Sequence, residues 1–121
     1  MTKEEMEMAT FTHEEALAIA KTTRDHVGMM NVLAISGGKW KWNYDDSGVD
    51  VVLPCGYGYS VRVRYERARD TYTVSREFSR KFDHWVKGEV SNVYCDEVGE
   101  VAYRAGMFRD EWTTAGAHKV H

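Results

Sequence analysis

A chain of 121 residues and 13.9 kDa has room for one core, burying about two-thirds of its unfolded surface, which excludes a multidomain machine. Hydrophobic residues at 43% and charged residues at 29% are near ordinary globular values, so disorder is not the default reading. A net charge of −3 argues against a dedicated duplex-DNA binder, which needs a basic field to neutralise phosphates.

The elements follow in chain order. Residues 1 to 11 predict a loosely ordered acidic lead-in. Thr12 and Glu15 form a capping box, in which each side chain satisfies the other's free backbone N–H. Phe11 stands where it can staple onto Ala16. Ala16, Ile19, Ala20, Thr23 and Val27 make one helical stripe up to Gly28, so a helix is expected over 13–28. Met30 to Ser36 is a short apolar run, read as a buried strand ended by Gly37-Gly38. Trp40, Trp42 and Tyr44 alternate with polar residues in a half-buried strand. Asp45-Asp46-Ser47-Gly48 is a turn, and Val49 to Leu53 a strand closed by Pro54 and the Gly56-Tyr57-Gly58 loop.

Tyr59, Val61, Val63 and Tyr65 alternate with Ser60, Arg62, Arg64 and Glu66. A turn at Arg67 to Asp70 leads into Thr71 to Phe78, completing the clearest hairpin of the chain. Arg76 falls in phase with the core side, which predicts a twisted or solvated strand end. Trp85 and Val86 suggest a short edge strand before Gly88. A second helix is expected over 92–108, with Ser91 as N-cap. Tyr94, Val98, Val101, Ala105 and Phe108 form its buried stripe, Glu100 and Arg104 an outer i,i+4 pair, and Gly99 a close-packing position. Residues 113–121 are expected to be loosely ordered. The resulting fold is α+β, a single domain with an antiparallel sheet of four or five strands and the N-terminal and C-terminal helices on one face.

Charge is unevenly spread. Residues 61 to 90 hold eight Lys/Arg against five acids, and residues 1 to 20 hold one Lys against five Glu. Arg62 and Arg64 share a strand face. That face, with the aromatics Trp40, Trp42, Tyr57 and Tyr59, is the candidate binding surface. Stacking and charge of this kind suit single-stranded nucleic acid, while pairing of the arginines with Glu66 and Glu77 describes a solvated face. Gly37, Gly38 and Lys39 follow the predicted strand like a phosphate cradle, but a P-loop must open onto a helix, and these residues open onto the Trp40–Tyr44 strand. Gly56-Tyr57-Gly58-Tyr59 imitates the aromatic motif of RNA-recognition domains and departs from it at Cys55, Ser60 and Arg62.

Titratable clusters are few. Asp83-His84 has no Ser or Cys near it in sequence, and Asp96, Glu97 and Glu100 suit the start of a helix. His118 and His121 would face one another only on a helix. Cys55 and Cys95 form no CxxC and have no histidine at metal spacing, which predicts reduced thiols. No catalytic, metal or cofactor site is expected. The start, Met-Thr-Lys-Glu-Glu-Met, lacks the apolar core of a signal peptide, and no apolar run reaches the roughly 18 residues of a membrane span. A cytoplasmic protein is expected.

Asn31 to Gly38, the hairpin Asp70-Thr71-Tyr72-Thr73-Val74 and the segment Val93-Tyr94-Cys95-Asp96-Glu97 resemble small uncharacterised proteins of tailed bacteriophages, particularly those of actinobacteria. The likeness runs over residues 12 to 108, leaving the Trp40/Trp42 strand and the histidine-containing tail outside it. The resemblance implies a non-enzymatic phage accessory protein that binds a host or phage macromolecule, as a host-takeover or anti-defence factor. A nucleic-acid or nucleotide binder using the Arg62/Arg64 face or the Gly37-Gly38 turn is the alternative, and a small enzyme of unrecognised type the third reading.

Overall fold

The computed structural model describes residues 11–108, 112 and 118–120. Helix α1 (His13–Val27) begins at the capping box. Thr12 Oγ1 accepts the Glu15 N–H at 3.1 Å, and Glu15 Oε1 accepts the Thr12 N–H at 3.4 Å. Two of the four unpaired donors of the first turn are thereby satisfied within a few residues. Phe11 packs against the core beside the cap, with the Arg67 guanidinium 4.4 Å from its ring centroid.

Met30–Ser36, expected to be a buried strand, instead lies within helix α2 (Met29–Ser36). Val32, Ile35 and Ser36 are its buried residues, an i, i+3, i+4 pattern. A short apolar run fits helix and strand equally, so flanking geometry decides. Gly28 breaks the chain between the helices at φ 95°, and Gly37 closes α2 in the left-handed region at φ 65°, its N–H turned back to the Leu33 and Val32 carbonyls.

The strands are β1 (Lys41–Asp45), β2 (Gly48–Gly56), β3 (Tyr59–Glu66), β4 (Thr71–Arg80) and β5 (Asp83–Val93), followed by α3 (Val98–Met107) and a short β6 (His118–Val120). They form one antiparallel meander in the order β1-β2-β3-β4-β5-β6. Asp45 Oδ1 shapes the β1–β2 turn by accepting the N–H groups of Ser47 and Gly48. Helices α1 and α2 pack on β2, and α3 packs on β3 and β4. The core between them joins Val49, Val51, Leu53, Val61, Val63, Tyr72, Val74 and Val93 to Ala16, Ala20, Val27, Val32, Ile35, Val98, Ala102 and Ala105. The α+β class, the antiparallel sheet and the two terminal helices on one face are all present, with α2 as a third helix.

Three expectations are corrected. β5 is an eleven-residue strand paired on both sides, not a short edge. Register shifts between Tyr72/Val74 and Arg76/Glu77 break the period of two that a sequence reading follows. The chain stays in β5 to Val93, so Ser91 is no N-cap and α3 starts at Val98. Tyr94 is accordingly 57% exposed, and Phe108 also faces out, leaving Val98, Ala102 and Ala105 as the buried stripe. Arg76, finally, is not solvated. It is 3% exposed, its Nη1 donates to the Ala105 carbonyl at 2.6 Å and to that of Gly106 at 3.3 Å, and the group lies 4.5 Å from the Tyr59 ring centroid. A cation on the last carbonyls of a helix satisfies orphan acceptors and opposes the negative end of the dipole.

The C-terminal end is described at Trp112 and at residues 118–120. Trp112 is buried, and His118–Val120 pairs with His84–Val86. A strand there rules out the helical spacing that would bring His118 towards His121, which lies outside the described residues, as do residues 1–10 of the lead-in.

Gly99 is where α3 meets the end of α1. A Cβ there would lie 2.7 Å from the Val27 carbonyl oxygen and 2.9 Å from Asn31 Nδ2. Helix propensity alone would make Gly99→Ala stabilising by about 1 kcal/mol. The contact with rigid backbone reverses the sign. A net loss of roughly 1–2 kcal/mol is expected in urea unfolding, with helix content by circular dichroism unchanged.

Candidate functional site

The sheet face turned away from the helices carries a ladder of charged groups, built by the period of two in β2, β3 and β4. Arg64 of β3 reaches Asp45 (2.7 Å) at the β1–β2 turn, Asp50 of β2 (3.0 Å) and Glu66 (3.6 Å). Arg62 reaches Asp50 (3.5 Å) and Glu77 of β4 (2.8 Å). Ser75 donates to Glu77 at 2.6 Å. From Glu77 the chain continues outward, with His84 Nε2 2.5 Å from Glu77 Oε1 and His84 Nδ1 2.5 Å from Ser79 Oγ. The pairing with Glu66 and Glu77 matches the sequence reading. Asp50, Ser79 and His84 were not assigned to this face, because strand-to-strand register is invisible in sequence.

Burial gives the ladder its energetics. Asp50 is 6% and Glu77 4% exposed, sealed by the flat arginine side chains above them. Burial pushes the Asp50 carboxyl up, and Arg62 and Arg64 offset only part of this. For Glu77 burial also acts upward, but the Ser75 hydrogen bond and Arg62 outweigh it, holding the carboxyl below its ordinary value. The hydrogen bond from Arg64 brings the Asp45 carboxyl down from 3.8 to about 2. Two guanidiniums thus face four carboxylates, so this surface presents no net basic field to a polyanion.

The other predicted residues are dispersed. Trp40 lies 4.9 Å from the Arg24 guanidinium of α1, and Trp42 lies 5.2 Å from the His13 ring, so both pack on the helix-covered face. Tyr59 is half-buried between Arg76 and Phe78. Gly37, Gly38 and Lys39 form the turn closing α2, where Lys39 N–H returns to the Ser36 carbonyl. Tyr57 alone stands free in solvent, 93% exposed.

Tyr57 has a neighbour that the sequence reading missed. Phe82, at the tip of the two-residue turn between β4 and β5, is fully exposed. Both turns leave the sheet at the same end, and the Ser79 N–H bonds the Gly58 carbonyl at 2.9 Å. A Cβ on Gly58 would lie 2.6 Å from the Ser79 carbonyl oxygen, so glycine allows the turns to meet this closely. Tyr57 (φ 55°) and Lys81 (φ 56°) hold left-handed backbone at a cost of about 1–2 kcal/mol each. Arg80 and Lys81, also exposed, immediately precede Phe82 in the chain. The missed signal was an aromatic in a four-residue charged stretch, Arg80-Lys81-Phe82-Asp83, where nothing in a core requires one.

A cleft of about 640 Å³ lies between α1 and the β3–β4 turn, walled by Ile19, His26, Tyr65, Tyr72, Tyr94 and Cys95. Two of its tyrosine hydroxyls, those of Tyr65 and Tyr72, are already engaged. Tyr65 donates to Asp70 at 2.6 Å, which pushes its pKa up to about 12, and the Tyr72 hydroxyl lies 2.6 Å from His26 Nδ1. The walls combine these rings with the polar side chains of Thr22, Arg69 and Asp70. Among the described residues no group of three His, Cys, Asp or Glu is arranged to hold a metal, and no helix is long and apolar enough to cross a membrane. Compared with known proteins, the chain matches no family model, no curated protein and no solved structure.

Two outcomes follow for the ladder. Exposed arginines would make Arg62→Ser with Arg64→Ser nearly neutral, as the period of two alone suggests. Here the double variant strands two buried carboxylates, and a loss of about 3 kcal/mol is expected in urea melts at neutral pH. Asp45 has a depressed pKa in the folded state, so its contribution is complete above pH 3.8 and is lost as the pH falls towards about 2. Unfolding free energies measured from pH 5 to 2 are expected to fall less steeply for Asp45→Asn than for the parent.

Proposed function

We propose that this chain is a non-enzymatic interaction protein that docks a partner protein on the aromatic tip formed by Tyr57 and Phe82. The exposure of both rings on adjoining turns is the observation that carries this reading. Aromatic rings are strongly favoured at the centres of protein interfaces, where they bury large areas at small entropic cost. The left-handed backbone at Tyr57 and Lys81 is what two-residue hairpin turns require, so both rings stand on turns of defined shape. Arg80 and Lys81 suit a partner whose docking pocket has an acidic rim.

The resemblance to tailed-phage proteins sets that partner among host or phage proteins of an infected bacterial cytoplasm. A host-takeover or anti-defence role is the proposed context. The nucleic-acid alternative has less support, because Arg62 and Arg64 each already hold two or more carboxylates.

Affinity capture from host lysate tests the proposal, with a nuclease-treated arm and a high-salt arm. Tyr57→Ser with Phe82→Ser is expected to abolish capture while shifting stability by less than about 0.5 kcal/mol, as exposed positions do. Capture by the parent should survive both arms. Full capture by the double variant would remove the tip from consideration, and loss of the partner after nuclease treatment would establish the nucleic-acid reading instead.

A further inference from the structure

The outer end of the ladder goes beyond docking. Ser79 and His84 face one another across β4 and β5, and Glu77 lies two residues before Ser79 on the same face of β4. His84 therefore bridges them, Nδ1 to the Ser79 hydroxyl and Nε2 to the Glu77 carboxylate, both at 2.5 Å. A donor at Nε2 fixes the tautomer, leaving the Nδ1 lone pair to accept from the serine. Glu77 is itself held by Ser75 and Arg62, so the carboxylate is stationary and the ring is aimed. Ser79 lies exposed beside the Tyr57/Phe82 tip. A nucleophile bonded to a base that is oriented by a third group is the arrangement that activates a serine.

We infer that Ser79 is a nucleophilic serine that accepts an acyl group from an activated ester, with His84 as its general base and Glu77 as the positioning residue. In the step, a bond forms between Ser79 Oγ and the acyl carbon, and the bond from that carbon to the leaving oxygen breaks. The hydroxyl proton passes to His84 Nδ1 and then to the departing oxygen or to water. The product is an O-acyl serine and the free alcohol or phenol. No oxidant, metal or second substrate enters. This reading is independent of the docking proposal, since acylation needs no partner protein.

The test uses p-nitrophenyl acetate and the intact protein, with acetyl-serine quantified by peptide mass spectrometry. Ser91 is exposed on the same strand pair and serves as the internal reference. Acylation of Ser79 is expected to run about 100-fold faster than that of Ser91, the lower end of what a positioned base supplies. His84→Gln should reduce the ratio to near one. Glu77→Asp, which keeps the charge, should retain part of the ratio and Glu77→Gln much less, both compared at equal folded fraction by circular dichroism. A purely structural Glu77 would leave the ratio unmoved in folded protein. Equal labelling of Ser79 and Ser91 in the parent would overturn the inference without reference to any variant.

Discussion

Asp50 and Glu77 sit buried on a sheet face that the three helices do not cover, and the structure depends on how that is tolerated. Isolated carboxylates removed from water cost several kcal/mol each unless paired and hydrogen-bonded. Arg62 and Arg64 lie between them on β3, one strand over on either side, so each guanidinium can reach β2 and a second element at once. The planar fork of arginine suits this double engagement, and a lysine could not reproduce it. The result seals the outer face with polar side chains, and no second apolar layer is needed to exclude water.

The opposite face is organised by the same residue type in another role. Arg76 crosses from β4 to the carbonyls that end α3, tying the last helix to the sheet through charge as well as through the Val98, Ala102 and Ala105 contacts. Gly99 then permits α3 to approach the α1 terminus. The three helices thus lock onto β2, β3 and β4, and the longer strands project beyond them. Their projecting turns are where Tyr57 and Phe82 stand. The ladder ties together β2, β3 and β4, the strands from which those turns project. The same ladder ends on His84 and Ser79, so the proposed docking tip and the proposed nucleophile share one end of the sheet.

What could be read from the sequence depended on the range of the interaction. The α1 start was legible because Thr12 and Glu15 satisfy each other within one turn. The β1–β2 turn was legible because Asp45 caps its own chain two and three residues on, and the β3–β4 hairpin because both strands alternate cleanly between Tyr59 and Val74. Arg76 broke the apolar pattern at the right position, but only the packed α3 terminus explains why a cation belongs there. Tyr57 was visible as an aromatic between two glycines, whereas Phe82 gained significance only from the neighbouring turn.

By itself, then, the sequence determined the α+β class, the antiparallel hairpins, the first helix with its cap and the one-sided covering of the sheet, since each follows from local hydrogen bonding or from periodicity. Tertiary structure decided that Met29–Ser36 is helical, because a short uncharged run satisfies either period until Val32 and Ile35 find the core. It decided the length of β5, because two register shifts erase the alternation that would have announced it. It also decided which carboxylates the arginines hold and that Ser79 meets His84. Periodicity assigns a side chain to a face, and only strand register assigns it a neighbour.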